Sequence, residues 1–259
     1  MKETKETPYA KFGFGWVPDL PDQRDLLYSA PIMVVKKMPS KIDLRRKCPP
    51  VYNQGHLGSC TANALGAAFQ FVRRKQKLKN FIPSRLFIYY NERVIIKTVN
   101  SDSGAYIRDG IKSLNKQGAC PETEWKYIVE KFTEKPPKKC YDDALKCTIK
   151  SYQRLTNTSL NQLQGCLAEG YPFVFGFTVY QSFNTEEVAK TGVMPLPKRK
   201  EKVLGGHAVT AVGYDDNKQV IIVRNSWGKE WGDKGYFYMP YAYITNNNLC
   251  DDFWTIRIV

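Results

Sequence analysis

The chain has 259 residues, enough to bury a substantial core as one large domain or as two lobes sharing a cleft. Hydrophobic residues make up 42% and aromatics 13%, which excludes a disordered polyelectrolyte despite a net charge of +14. That charge guarantees a basic surface, but no aromatic–basic repeat, zinc-finger spacing or helix-turn-helix pattern accompanies it. A nucleic-acid partner is therefore not expected, and the spread lysines read as a solvated face, with an acidic partner as the lesser alternative.

The first segment, MKETKETPYAKFGFGWVPDL, is charged and lacks the apolar run of a secretory signal. The nearest apolar stretch, Leu26 to Val35, contains Pro31 and is too short to span a membrane. Residues 1–38 mix prolines with aromatics flanked by glycine or proline in no regular period, so an extended arm is expected. From Pro39 to Cys60 short apolar groups alternate with turn residues. A helix is then expected, because Ala64, Ala67, Ala68, Phe71 and Val72 recur at helical spacing and Arg73-Arg74-Lys75 suits a C-terminus. Ser84 to Ile96 and Ala105 to Gln117 read as further amphipathic helices, the second ending at Gly118. Pro136 to Lys139 reads as a loop. From about residue 150 the chain turns strand-rich: YPFVFGFTV, HAVTAVGYDD, QVIIVRNSW, GYFYMPYAYI and DDFWTIRIV are aromatic and β-branched runs. Helices first and strands later imply an α+β fold, with a helical lobe over about 60–149. A β-rich lobe would take about 150–259 together with 39–59.

Seven cysteines (Cys48, Cys60, Cys120, Cys140, Cys147, Cys166 and Cys250) leave at least one thiol unpaired, and an unpaired thiol is a candidate nucleophile. Cys140 and Cys147 stay open as a disulfide, a metal pair or two free thiols. Metal is not expected, because no histidine cluster or second Cys-x-x-Cys supports it. Cys60 follows the loop Gln54-Gly55-His56-Leu57-Gly58-Ser59 and opens a helix, whose dipole and free N–H groups favour a thiolate. A cysteine nucleophile needs a base, and only two histidines exist. His56 lies in the nucleophile loop itself and reads as a rim residue, so His207, in Gly205-Gly206-His207-Ala208-Val209, is the candidate base. The Asn225 amide can fix the tautomer of His207, and Trp227, two residues on, can shield that bond from water. Singly, each has a plainer reading: Cys60 as a small buried hydrophobe, His207 as a core histidine, Asn225 as a turn cap, Gln54 as a polar loop residue. Their joint spacing favours catalysis, with the thiol and the imidazole both charged at neutral pH.

These segments resemble those of the papain-like cysteine proteases, the family that includes the cathepsins. Gln54 lies six residues before Cys60, Gly-Gly-His-Ala-Val is similar to the histidine motif of the cathepsin B branch, and Ile42-Asp43-Leu44-Arg45 resembles the start of a mature enzyme. The match covers residues 39–259. It implies a two-lobe α+β fold with a barrel-like β lobe and an active site in the interlobe groove. It also implies peptide hydrolysis through an acyl-thioester on Cys60, with Gln54 and the Cys60 N–H as oxyanion hole and no cofactor. Protein or peptide substrates and a monomeric enzyme follow. Ser103-Gly104 would pair with the substrate backbone. Gly176, Gly205 and Gly206 would line a roomy pocket for a bulky apolar second residue before the scissile bond, and Trp227 would also contact substrate. Three departures stand out. Thr61 replaces the usual aromatic, Leu57 stands where many relatives carry a disulfide cysteine, and the long helical propeptide is missing. These features look like the shorter bacterial and viral members. Two histidines cannot furnish an occluding loop with its own histidine pair, so endopeptidase action is expected. Residues 1–38 are expected to lie in or near the groove and restrain it as a short propeptide. The competing readings are a catalytically silent binding protein of the same fold and a polyanion-binding protein.

Overall fold

The computed structural model describes residues 12–258, so residues 1–11 of the expected arm and Val259 lie outside the described residues. Helix α1 is a single turn in the arm (Ile32–Val35), and β1 is a short strand (Lys41–Asp43). Helix α2, Cys60–Lys75, is buried on every side from Cys60 to Arg73. A helix apolar and small on all faces belongs in the middle of a domain, and its polar members carry partners. The Asn63 amide donates to Ser59 O at 2.9 Å, Gln70 accepts Tyr52 O–H at 2.5 Å, and Arg73 donates to Lys79 O at 2.8 Å. Helix α3, Arg85–Ile95, is capped by Ser84 Oγ, which accepts Phe87 N–H at 3.1 Å. Helix α4, Ile107–Lys116, ends two residues before Gly118, whose φ of 74° stops it. The expected Pro136–Lys139 loop is shorter than read, because α5 (Lys138–Ala144) begins directly after Pro137.

The second half contributes β2 (Ser151–Arg154), α6 (Leu160–Ala168), β3 (Phe173–Tyr180), α7 (Glu186–Thr191), β4 (Val203–Asp215), β5 (Val220–Arg224), β6 (Tyr236–Pro240), α8 (Tyr241–Ile244) and β7 (Cys250–Arg257). All strand pairs are antiparallel, in the order β2-β7-β3-β4-β5-β6, and β1 pairs with the end of β4 that β3 leaves free. The sheet is open. The barrel-like lobe expected from the resemblance is therefore corrected: β2 and β6 do not pair with each other, and single bridges cover them instead, Leu27 on Arg154 and Val193 on Tyr238. The GYFYMPYAYI run is also only half strand. Pro240 ends β6 and Tyr241–Ile244 coil into α8, apolar in either state.

Helix α2 packs on β4, where Thr210 Oγ1 donates to Ala64 O at 3.1 Å. One continuous hydrophobic core runs from α2, α3 and α4 to the sheet, with a small satellite around Phe87, Cys120, Cys140 and Ala144. The arm crosses both halves. Trp16 bridges Ala105, Arg108 pairs with Asp25 at 2.6 Å, and Tyr28 N–H reaches Arg154 O at 2.8 Å. Among the described residues no helix is long and apolar enough to cross a membrane.

Candidate active site

The loop that leads into Cys60 is held by a network of hydrogen bonds. Gln54 N–H donates to Ser226 O at 2.9 Å, its Oε1 accepts Ser226 O–H at 2.5 Å, and its Nε2 donates to Leu57 O at 2.9 Å. These bonds fix the amide with its second N–H turned into the groove. Tyr127 O–H donates to Gln54 O at 3.0 Å and meets Ser59 Oγ at 2.6 Å. Gly58 N–H is taken by both oxygens of Asp102, at 3.0 and 2.9 Å, and Tyr89 O–H donates to the same carboxylate at 2.5 Å. Cys60 then starts α2, fully buried.

The sheet supplies the other half. Register places His207 on β4 beside Phe177 of β3, and Asn225 follows directly on β5. His207 Nε2 lies 2.8 Å from Asn225 Oδ1, which makes Nε2 the protonated nitrogen and leaves Nδ1 as the free lone pair. His207 Nδ1 is buried and has no hydrogen-bond partner. Trp227 stacks on the imidazole with centroids 4.8 Å apart and planes 27° apart. Asn225 Oδ1 is further held by Ser226 N–H at 2.8 Å. His56 is exposed on the loop.

The groove between these halves is filled by the chain's own residues 12–17. Phe12 stacks on Trp227 at 4.8 Å and 6°, and Phe14 meets the His207 ring edge-on at 6.2 Å. Gly13 O accepts the free Gln54 Nε2–H at 3.0 Å. Ala105 N–H donates to Gly15 O at 2.8 Å, Trp16 N–H to Gly206 O at 3.0 Å, and Val17 N–H to Ala105 O at 3.1 Å. Burial under this strap sets the electrostatics. It pushes the Cys60 thiol up from 9.0 to about 12, a rise only partly opposed by the N–H groups of Ala208, Gly15 and Thr61 at the sulfur. It pushes His207 down from 6.5 to about 4, against the bond to Asn225. Burial thus favours the neutral form of both groups, against the charged pair expected from sequence, because desolvation outweighs the helix terminus.

Residues 38–251 match the model of the papain family of cysteine proteases. The chain belongs to that family. It is 42% identical over 270 residues to an uncharacterized peptidase C1-like protein of Acanthamoeba polyphaga mimivirus, a match covering 95% of this chain and 87% of the relative. Chymopapain of Carica papaya is 28% identical over 88% of this chain, which spans 61% of that longer protein. Among solved structures, xylellain, a cysteine protease from Xylella fastidiosa, superposes with a TM-score of 0.91 at 48% identity, covering 96% of this chain and 97% of that one.

The residues expected on the substrate side of this protease divide. Gly176 and Gly206 both face Trp16: a Cβ at Gly176 would lie 1.9 Å from the indole and one at Gly206 would lie 2.4 Å from Trp16 O. A Cβ at Gly205 would come within 2.9 Å of Phe14. Gly104 leaves room for Gly15 O, 2.2 Å from where its Cβ would be, while the backbone pairing itself is made by Ala105. Ser103 Oγ is turned away, bonded to Thr98 Oγ1 at 2.7 Å. Sequence reading missed Ala105, Asp102 and Tyr127, none of which belongs to a recurring motif. All seven cysteines carry free thiols. Cys140 neighbours Cys120, and their sulfurs and a Glu124 carboxylate oxygen lie within 4.8 Å of one another, away from the groove.

Proposed function

We propose that this protease is an endopeptidase working through an acyl-thioester on Cys60, and that residues 12–17 keep it latent until they withdraw. The observation that carries the reading is an imidazole with its Nε2 tied to Asn225 and its Nδ1 unpartnered. It stands next in sequence to the residue whose N–H reaches the Cys60 sulfur. When the arm leaves, water removes the desolvation penalty and Cys60 can pass its proton to His207. The thiolate attacks the peptide carbonyl, and the oxygen that gains charge takes hydrogen bonds from Gln54 Nε2 and the Cys60 backbone N–H. His207 gives its proton to the departing amine as the C–N bond breaks. It then removes a proton from water, whose oxygen displaces the thiol and releases the acid. Asn225 keeps the ring in the tautomer that both transfers need.

Latency is supported by what the arm occupies. Gly13 O takes the Gln54 donor that an oxyanion requires, and Trp16 fills the glycine-lined pocket. Trp16 follows Gly13 and Gly15 in sequence, whereas a substrate's second residue before the scissile bond precedes the carbonyl at Cys60. The arm thus runs opposite to a substrate, a polarity that disfavours cleavage by its own thiol. The test is Cys60→Ala. It abolishes turnover of a peptide substrate while thermal unfolding stays within a few degrees, and a variant that keeps the parent's rate removes Cys60 as nucleophile.

A further inference from the structure

We propose that Cys120, Glu124 and Cys140 form a binding site for a borderline-soft divalent cation of the zinc class, which ties α5 to the loop that follows α4. The site lies outside the groove and goes beyond the protease reading, so its test does not depend on peptide cleavage. No sequence motif marks it, since the spacing of the three residues matches no zinc-ligand pattern of the Cys-x-x-Cys kind.

Local backbone brings the donors together. Gly118, in the left-handed region, turns the chain out of α4. Cys120 is then pinned beside the start of α3, where Ser84 N–H donates to Cys120 O at 2.8 Å and Pro83 bridges Pro121. A turn closed by Glu124 N–H on Pro121 O, at 3.0 Å, brings the carboxylate back toward the cysteine. Cys140 comes from the first turn of α5, its N–H donating to Pro137 O at 2.9 Å. The two sulfurs and a Glu124 carboxylate oxygen then lie within 4.8 Å of one another. In a tetrahedral site with metal–sulfur bonds of about 2.3 Å, neighbouring donors stand about 3.8 Å apart, so these three need to close by no more than about 1 Å.

The deciding atom is on Glu124. Both cysteines are buried, in a shell that includes Phe87, Ala144, Trp125 and Tyr141. Glu124 Oε1 pairs with Lys139 at 3.2 Å, whereas Oε2 is buried and has no hydrogen-bond partner among the described residues. A buried acceptor left unpaired is costly. An ion held by both sulfurs satisfies it. A disulfide between Cys120 and Cys140 does not, because the same oxygen then faces two neutral sulfurs without a proton to donate. The unpaired oxygen therefore favours an ion over a covalent bond. Thiolate donors select zinc-like ions over magnesium or calcium, which take shells of oxygen. Each thiol gives up its proton to solvent as its sulfur binds, and the fourth position is left to water. Two thiolates and a carboxylate exceed the charge of the ion by one, and Lys139, held also by Asp143 at 2.8 Å, supplies the outer positive charge. The same loop runs on to Tyr127, which donates to Gln54 O at 3.0 Å, so an ion here steadies the segment that braces the approach to Cys60.

The experiment uses the full chain carrying Cys60→Ala, which removes the candidate nucleophile as a competing thiol, reduced with a phosphine and stripped with a chelator. Cobalt(II) is titrated in, read by its thiolate-to-metal charge-transfer absorption, and then displaced with zinc. The expected result is one ion per chain, with a rise in Tm of roughly 5 °C or more when zinc stands at about a hundred times its Kd. Cys140→Ser should lose most of the absorption and of the Tm rise. Glu124→Gln, which keeps both thiols, should weaken binding by about tenfold or more. Cys147→Ser should leave both readouts unchanged. Should Cys140→Ser fail to fold, Glu124→Gln decides alone. No binding by the reduced chain, or binding of one ion that neither Cys140→Ser nor Glu124→Gln weakens, overturns the site. A mass that shows Cys120 and Cys140 joined as a disulfide under the same reductant, with no ion bound, overturns it in favour of a covalent link.

Discussion

Trp16 is the anchor of the seated arm, and Trp16→Ala is the perturbation with the largest calculable effect on latency. A tryptophan side chain buries about 200 Å². At about 25 cal/mol per Å² its burial contributes roughly 5 kcal/mol, an upper bound because a released arm already covers part of its own apolar surface. Alanine also loses the bond to Asp252. A net loss of about 3–4 kcal/mol shifts the ratio of seated to open chains roughly 10²–10³-fold toward open. Turnover of a fluorogenic peptide by the full chain should rise accordingly, up to the point where the enzyme is mostly open. The gain should appear as a larger kcat/KM with little loss of the folded baseline in thermal unfolding. Phe14→Ala, which removes a half-buried ring over His207, should act in the same direction but less. A Trp16→Ala chain that folds normally yet cleaves no faster than the parent would refute the reasoning.

Two other outcomes follow from carboxylates, one that the arm brings into the interior and one that holds the loop before Cys60. Burial, with Asp252 beside it, raises the Asp19 carboxyl from 3.8 to about 7. A raised pKa means that the seated state binds the proton more tightly, so this contribution to latency is complete below about 3.8 and is lost as pH rises toward 7. Asp19→Asn should therefore make the chain more latent than the parent at pH 7–8 and nearly equal to it near pH 4, read as kcat/KM relative to Trp16→Ala at each pH. His207 titrates in the opposite sense but is common to both chains, and an identical pH profile for the two contradicts the assignment. Asp102→Ala removes the acceptor of Gly58 N–H and Tyr89 O–H and should cost about 1–3 kcal/mol in chemical denaturation, with a lower kcat. Asp102→Asn, which keeps one acceptor, should recover part of both. Unchanged stability in Asp102→Ala would mean that the loop is held by other contacts.

Much of the candidate site was legible because the chemistry proposed for it needs fixed neighbours in sequence: Gln54 six before Cys60, glycines before His207, and Ser226 and Trp227 after Asn225. The helix at Cys60 was legible from alanines at helical spacing, and α3 from the amphipathic run Ser84 to Ile96. What stayed hidden depends on long-range placement. The arm carries Phe12, Phe14 and Trp16 on alternate residues, but only Ala105 and Gly206 as partners make it a strap across the groove. Whether the sheet closes is decided by what covers β2 and β6, which alternation within either strand does not encode. The expected ion pair is opposed by burial for a related reason: helix-terminus effects can be read from sequence, while the desolvation that opposes them comes from an arm about 45 residues upstream of Cys60.

The most direct test of the account is where a thiol-directed epoxide attaches among seven cysteines. Intact mass followed by peptide mapping should give one adduct, on Cys60, slow in the parent, fast in Trp16→Ala, and absent when His207→Ala is added. Adducts distributed over other cysteines, or a Cys60 adduct that forms at the same rate without His207, would contradict a thiol activated by that imidazole.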